Sequence, residues 1–172
     1  MSFAVNITLC GMNRVGDTLI HTGSNRALIE MFASVGVEFL LIGGLATAWY
    51  CLDRQADDMD LLVNPSTENS ARIARALTKL GISGFSPESF TRLGLQVPLK
   101  QTLYAELLTP EPSAKSYAEM AAMASEASLF ETPIRVASIQ TLIYLKERAI
   151  AVAGADTKKH VEDVRVLRLH SA

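Results

Sequence analysis

The stretch that decides the fold is Ile42-Gly43-Gly44, a spacer of thirteen residues, and then Asp58-Met59-Asp60-Leu61. The glycine pair closes Glu38-Phe39-Leu40-Leu41-Ile42, apolar from Phe39 on, which reads as a short buried strand. Glycines at a strand end let a phosphate come close to the backbone. A short helix is predicted over 45–52, with its N-terminal amides aimed at the same place. A second strand is predicted over 58–63. Residues two apart on a strand share a face, about 6–7 Å apart at the backbone. Asp58 and Asp60 can therefore converge on one divalent cation, while Asp57 points away. Two carboxylates in a partly dry cleft are costly unless a cation neutralises them. Taken singly, the acids also fit a solvated surface strand and the glycines an ordinary turn. Their succession points to metal-assisted phosphoryl chemistry.

Working outward, Ser24 is a plausible N-cap for a helix carrying Leu28, Met31, Phe32 and Val35, stopped at Gly36. Pro65-Ser66 opens a helix with Ile73, Ala76, Leu77 and Leu80 on one face and Gly81 as its stop. A short strand is predicted near 93–97, and a third main strand over Leu103 to Leu108, closed by Thr109-Pro110-Glu111-Pro112. Beyond it the pattern predicts a helix over Ser116 to Ser128, a small strand over 133–136 and a helix over 138–152. Asp156 is the expected cap of a last helix carrying Val161, Val164, Leu167 and Leu169. Residues 1–23 read as an N-terminal arm, with either a strand over 3–9 or a loose attachment. The chain has neither internal repeats nor a domain-separating linker. It reads as one α/β domain, with an arm over 1–23, a core over 24–112 and a mostly helical part over 113–172: a small mixed sheet flanked by helices.

A third acid completes a two-metal arrangement. Glu106, centred in the third strand between apolar residues, is the candidate; the alternative is an outward-facing glutamate on an edge strand. Arg54 either binds phosphate oxygens with its fork or pairs with Asp53 or Asp57. Lys146, mid-helix among apolar residues, either reaches a triphosphate or snorkels from the core edge. Asp163 is either a late site residue or a helix-surface acid. Trp49 and Tyr50 either stack on a base or pack. The basic C-terminus (Lys158, Lys159, His160, Arg165, Arg168, His170) either steers an acidic partner or RNA or is a solvated face. The three histidines have neither metal spacing nor a neighbouring nucleophile, and no chemistry is assigned to them.

The 172 residues suffice for one sizeable core, and 49% hydrophobic with 20% charged residues excludes a disordered chain. A net charge of −2 argues against a surface built for non-specific nucleic-acid binding; there is no DNA-specific signal. Cys10 and Cys51 form neither a metal motif nor a disulfide framework, no apolar run is long enough to span a membrane, and polar residues interrupt the N-terminus. These features predict a cytoplasmic protein.

The residues quoted resemble the nucleotidyltransferase superfamily related to DNA polymerase beta. Its signature is an apolar residue, Gly, Gly or Ser, a spacer, and Asp-apolar-Asp/Glu-apolar. Arg54-Gln55-Ala56-Asp57-Asp58-Met59-Asp60-Leu61 is similar to the run that carries its acids. The segment over 66–81 is similar to small bacterial stand-alone members related to toxin–antitoxin and phage-defence transferases. Weaker likeness extends to Ser138–Lys146 and His160–Val164. The resemblance implies a nucleotidyltransferase-like fold and transfer of a nucleoside monophosphate from an NTP to a hydroxyl of RNA, protein or a small molecule. It implies Asp58, Asp60 and Glu106 as catalytic acids and Mg²⁺ ligands, with Gly43, Gly44, Arg54 and Lys146 around the nucleotide. Two departures stand out: Ala56 replaces the usual threonine, and Glu106 in Tyr104-Ala105-Glu106 replaces an aspartate. They motivate the alternative of an inactive binding protein on the same scaffold, such as an antitoxin-like partner.

Overall fold

Four consecutive apolar residues with no polar alternation need cover on both faces. Strand β1 (Phe39–Ile42) has it: all four side chains are buried at the centre of the sheet. The computed structural model describes residues 23–51, 53–99, 103–152 and 157–171. The expected strand over 3–9, the arm before residue 23, Cys10 and the Asp156 cap lie outside them.

Helix α1 (Gly23–Ser34) buries Leu28, Ile29 and Phe32, and β1 follows it. Helix α2 (Gly43–Tyr50) starts directly at the glycine pair, two residues earlier than expected. Strand β2 (Met59–Val63) begins one residue later than expected, with Asp58 in the bend before it. Helix α3 (Thr67–Lys79) is capped by the Ser66 hydroxyl, which accepts from Asn69 N at 3.2 Å. Strands β3 (Gln96–Pro98) and β4 (Ala105–Leu108) follow. Then come helix α4 (Tyr117–Ala122), strands β5 (Ser125–Leu129) and β6 (Thr132–Val136), and helices α5 (Ile139–Val152) and α6 (Lys158–Leu169). The result is a mixed α/β fold. Its six-stranded open sheet, ordered β3-β4-β2-β1-β6-β5, is flanked by helices, and the chain ends in two helices.

Two expectations are corrected. The helix expected over Ser116 to Ser128 stops at Ala122, and Ser125–Leu129 pairs antiparallel with β6. A Ser116–Glu119 capping box starts the helix. Alternation then takes over, with Ala127 and Leu129 buried. The β5–β6 turn is Phe130-Glu131, both with positive φ (53° and 65°), as a two-residue hairpin turn requires. Gly or Asn normally signals such a turn. Here Phe130 holds the position under the Arg26 guanidinium, 5.3 Å from its ring centroid. The strand expected over 103–108 starts only at Ala105. Tyr104 has φ 45°, and its carbonyl accepts from Met59 N at 3.0 Å.

Buried Asn69 ties the sheet to α3. Its Oδ1 accepts from Glu38 N at 2.7 Å, and its Nδ2 donates to the Glu38 and Asn64 carbonyls, each at 2.9 Å. The end of β2 and the start of β1 thus share one amide. Leaving such groups unsatisfied costs about 1–3 kcal/mol each. Asn69→Ala is expected to lower the unfolding free energy by about 2 kcal/mol in urea titration with an unchanged m-value.

Candidate active site

Alternation along β2 and β4 sorts side chains between the two faces of the sheet. Met59, Leu61, Ala105 and Leu107 are fully buried on one side. Asp60 and Glu106 therefore share the other. The strands run parallel with Asp60 opposite Glu106, and β1 sets Ile42 opposite Asp60. Adjacent strands lie about 4.8 Å apart, so the two acids are neighbours beside the start of α2 that follows Ile42. Both line a cavity of about 380 Å³, with Gly43 and Gln96 on the sheet side. Helix α5 supplies its far wall with Leu142, Leu145, Lys146 and Ala149, α6 adds His160, and Glu111 stands at the rim.

The glycines are explained by what occupies the space of their missing side chains. Gly43 has φ +69°, and a Cβ there would lie 1.9 Å from Asp60 Oδ2. A Cβ on Gly44 would lie 3.4 Å from Arg54 Nη2, an ordinary contact. The first glycine makes room for the acid. The second lies beside the arginine, at the first turn of α2, where the Ile42 cap has no side-chain hydrogen bond.

Arg54 does not pair with Asp53 or Asp57, the partners sequence offered for it. Its Nε donates to Asp163 Oδ1 at 2.8 Å, and Lys146 Nζ donates to Asp163 Oδ2 at 2.6 Å. Asp163 is 2% exposed and Lys146 6%. Burial pushes the Asp163 carboxyl up, but the hydrogen bonds from Arg54 and Lys146 prevail and hold it below the usual aspartate value. Burial pulls the Lys146 ammonium down, against the opposing pull of Asp163. Asp163 is thus a buried partner of two cations rather than a helix-surface acid. From the sequence Asp163 fits either role, and His160 is one of the basic C-terminal residues, with no chemistry assigned to it. Both reach the site only because α6 folds back on α5, a contact that spacing does not reveal.

The remaining candidates separate. Asp57 pairs with Lys159 at 3.6 Å on the surface. Asp58 lies in the bend before β2, and Asp60 rather than Asp58 lines the cavity. Tyr50 packs: its hydroxyl donates to the Ala137 carbonyl at 3.1 Å. In the basic C-terminus, Arg165 pairs with Glu162 and Arg168 with Glu147, each at 2.6 Å, as on a solvated face. Among the described residues no group of three or more His, Cys, Asp or Glu side chains is arranged to hold a metal ion by itself. Two hard carboxylates on neighbouring strands do fit the way Mg²⁺ is commonly bound, through one or two protein acids plus substrate phosphates. Among the described residues no helix is long and apolar enough to cross a membrane.

The fold is nucleotidyltransferase-like. Among solved structures, the chain is similar to an antigenic nucleotidyltransferase-like protein from Paracoccidioides brasiliensis, with TM-score 0.55 and 12% identity over 90% of this chain and 75% of that one. It is also similar to the aminoglycoside nucleotidyltransferase ANT(2″)-Ia in complex with adenylyl-2″-tobramycin, with TM-score 0.56 and 18% identity over 84% of this chain and 86% of that one. At these identities the likeness establishes the fold. No family model matches the chain, and no curated protein sequence matches it.

Two outcomes follow from this geometry. Gly43→Ala forces a left-handed conformation that costs an L-residue about 1–2 kcal/mol and displaces Asp60. Gly44→Ala is close to neutral. Urea unfolding of the two variants is expected to separate them in that order. The depressed Asp163 carboxyl contributes stability that is complete above the ordinary aspartate value and lost as pH falls through the lower folded value. Between about pH 5 and 2, unfolding free energy is therefore expected to fall more steeply in the wild type than in Asp163→Asn.

Proposed function

We propose that the protein transfers a nucleoside monophosphate from an NTP to an acceptor hydroxyl. The observation that carries this reading is the register of β2 and β4, which makes Asp60 and Glu106 neighbours in one cavity beside Gly43. Asp58, Asp60 and Glu106 are the acids that would hold Mg²⁺, and the ion would supply charge neutralisation to the phosphates. Glu106 is also the group to take the acceptor's proton. As the hydroxyl oxygen bonds to the α-phosphorus, the bond to pyrophosphate breaks and the proton passes to the carboxylate. Gly43 and Gly44 admit the phosphates to the start of α2. Lys146 sets a positive charge on the cavity wall. Arg54, committed to Asp163, acts on the nucleotide through that partner rather than through a bidentate phosphate contact of its own. Catalysis on this reading is positioning and electrostatics.

A second reading has its own support. The described residues offer no ready-made three-acid cluster, and Glu106 Oε2 accepts a hydrogen bond from Gln96 Nε2 at 2.9 Å. A scaffold that binds nucleotide or a partner protein without turnover, as an antitoxin-like protein would, fits both facts. Calorimetry with Mg²⁺ and each NTP separates the two: binding without label transfer supports the second.

The test is incubation with α-labelled NTP, Mg²⁺ and cell lysate, followed by detection of labelled RNA, protein or small molecules. Asp60→Asn combined with Glu106→Gln is expected to keep the native circular dichroism and lose at least about 10²-fold in transfer. Transfer at the wild-type rate would overturn the assignment.

A further inference from the structure

The carboxylate of Asp163 stands between two cavities. Lys146 lines the one that holds Asp60 and Glu106. Asp163 and Arg54 line another, of about 530 Å³, with Cys51 and His170. Oδ2 accepts from Lys146 Nζ at 2.6 Å, and Arg54 donates through Nε to Oδ1 at 2.8 Å and through Nη2 to Oδ2 at 3.5 Å. The three residues come from α5, α6 and the loop that leads from α2 to β2.

We propose that Asp163 is a positioning residue that aims Lys146 at the phosphates, with Arg54 as the counter-charge that keeps the group net positive. This rests on the reading that phosphates bind beside Lys146. A lysine carries its charge on a flexible four-carbon stem. In an apolar wall it either snorkels outward or gives up its proton unless something holds it. Asp163 supplies that hold. A lone Asp163–Lys146 pair would be neutral and would present little field to an anion. Arg54 makes the sum two cations and one carboxylate, a net charge of +1 beside Asp60. Phosphates entering over the glycine pair would then meet an ammonium whose direction is fixed from behind.

Two measurements on the full chain test this. The first is the rate at which a small acetylating reagent modifies Lys146, read by peptide mass spectrometry with exposed Lys159 as internal reference. The second is the affinity for NTP with Mg²⁺ by calorimetry. In the wild type Lys146 is expected to be protected. In Asp163→Asn its labelling should rise and NTP affinity should fall, each about tenfold, a change worth about 1.4 kcal/mol. On a Lys146→Met background the same substitution should cause no further loss of affinity, because the effect runs through Lys146. Asp163→Glu, which keeps the charge one methylene further out, should restore protection in part. If Asp163→Asn does not fold, Asp163→Glu decides: raised Lys146 labelling at a near-native melting temperature supports the positioning role. Unchanged labelling in a folded variant, or affinity losses that add in the double variant, would overturn it. A wild type that binds no NTP defeats the nucleotidyl-transfer reading, and with it the role toward phosphates; the labelling result still decides whether Asp163 fixes Lys146.

Discussion

A carboxylate that is 2% exposed cannot stay ionised without partners, and Asp163 has two. That constraint organises the C-terminal half of the molecule. Arg54 precedes the acidic strand, Lys146 sits in the middle of α5 and Asp163 lies on α6, so three separate elements must meet at one point. Buried ion pairs are weak sources of net stability, since apolar residues of similar volume often do as well or better. Breaking one by removing a single partner is another matter and costs about 3–5 kcal/mol. Such a group therefore does less to hold the fold together than to specify where its parts lie. Here it fixes α5 and α6 relative to the loop that delivers Asp58 and Asp60.

The acids face a second constraint, from the sheet. β2 and β4 are parallel, so the chain must cross over between them, and it does so through α3 and the segment that includes β3. In such a pairing a slip of one residue would send Glu106 to the opposite face. Met59, Leu61, Ala105 and Leu107 prevent it, because all four are fully buried on the other side and a slip would expose them. The hydrophobic effect thus sets the register, and the register sets the acids side by side. In this sense the site is a by-product of core packing.

What was legible in the sequence follows the range of the interactions. β1, the α3 helix with its Pro65-Ser66 start and Gly81 stop, and the acidic strand are governed by local signals, and they read correctly to within two residues. The β5–β6 hairpin did not, because Phe130 and Glu131 adopt left-handed conformations that neither residue announces. The Ala- and Met-rich composition around 117–128 favoured helix, and only pairing with β6 turns 125–129 into a strand. Glu106 was picked out because apolar neighbours bracket it. Arg54 was noticed, but its partner was not, since Asp163 is 109 residues away. His160 reads with the basic C-terminus, and nothing local places it at the cavity it lines. Strand alternation and caps can be read along the chain; the meeting of α5, α6 and the sheet cannot.

The cavity's walls differ in a way that bears on what it can hold. Its sheet side carries Asp60 and Glu106, and the hydrogen bond to Glu106 comes from the Gln96 amide, which brings no positive charge. Glu111 at the rim is paired with Arg148 at 3.1 Å. The opposite wall is aliphatic, with Leu142, Leu145 and Ala149 around a single ammonium. Asp60 and Glu106 are paired across neighbouring strands, and neighbouring carboxylates repel one another. A bound cation shared with an anionic ligand removes that repulsion, while a flat apolar group covers the helix wall. On the function proposed above, a nucleoside triphosphate with its metal would bring both parts. An acidic pocket that merely faced solvent would have no use for an aliphatic wall, nor for a lysine anchored from behind by a buried aspartate.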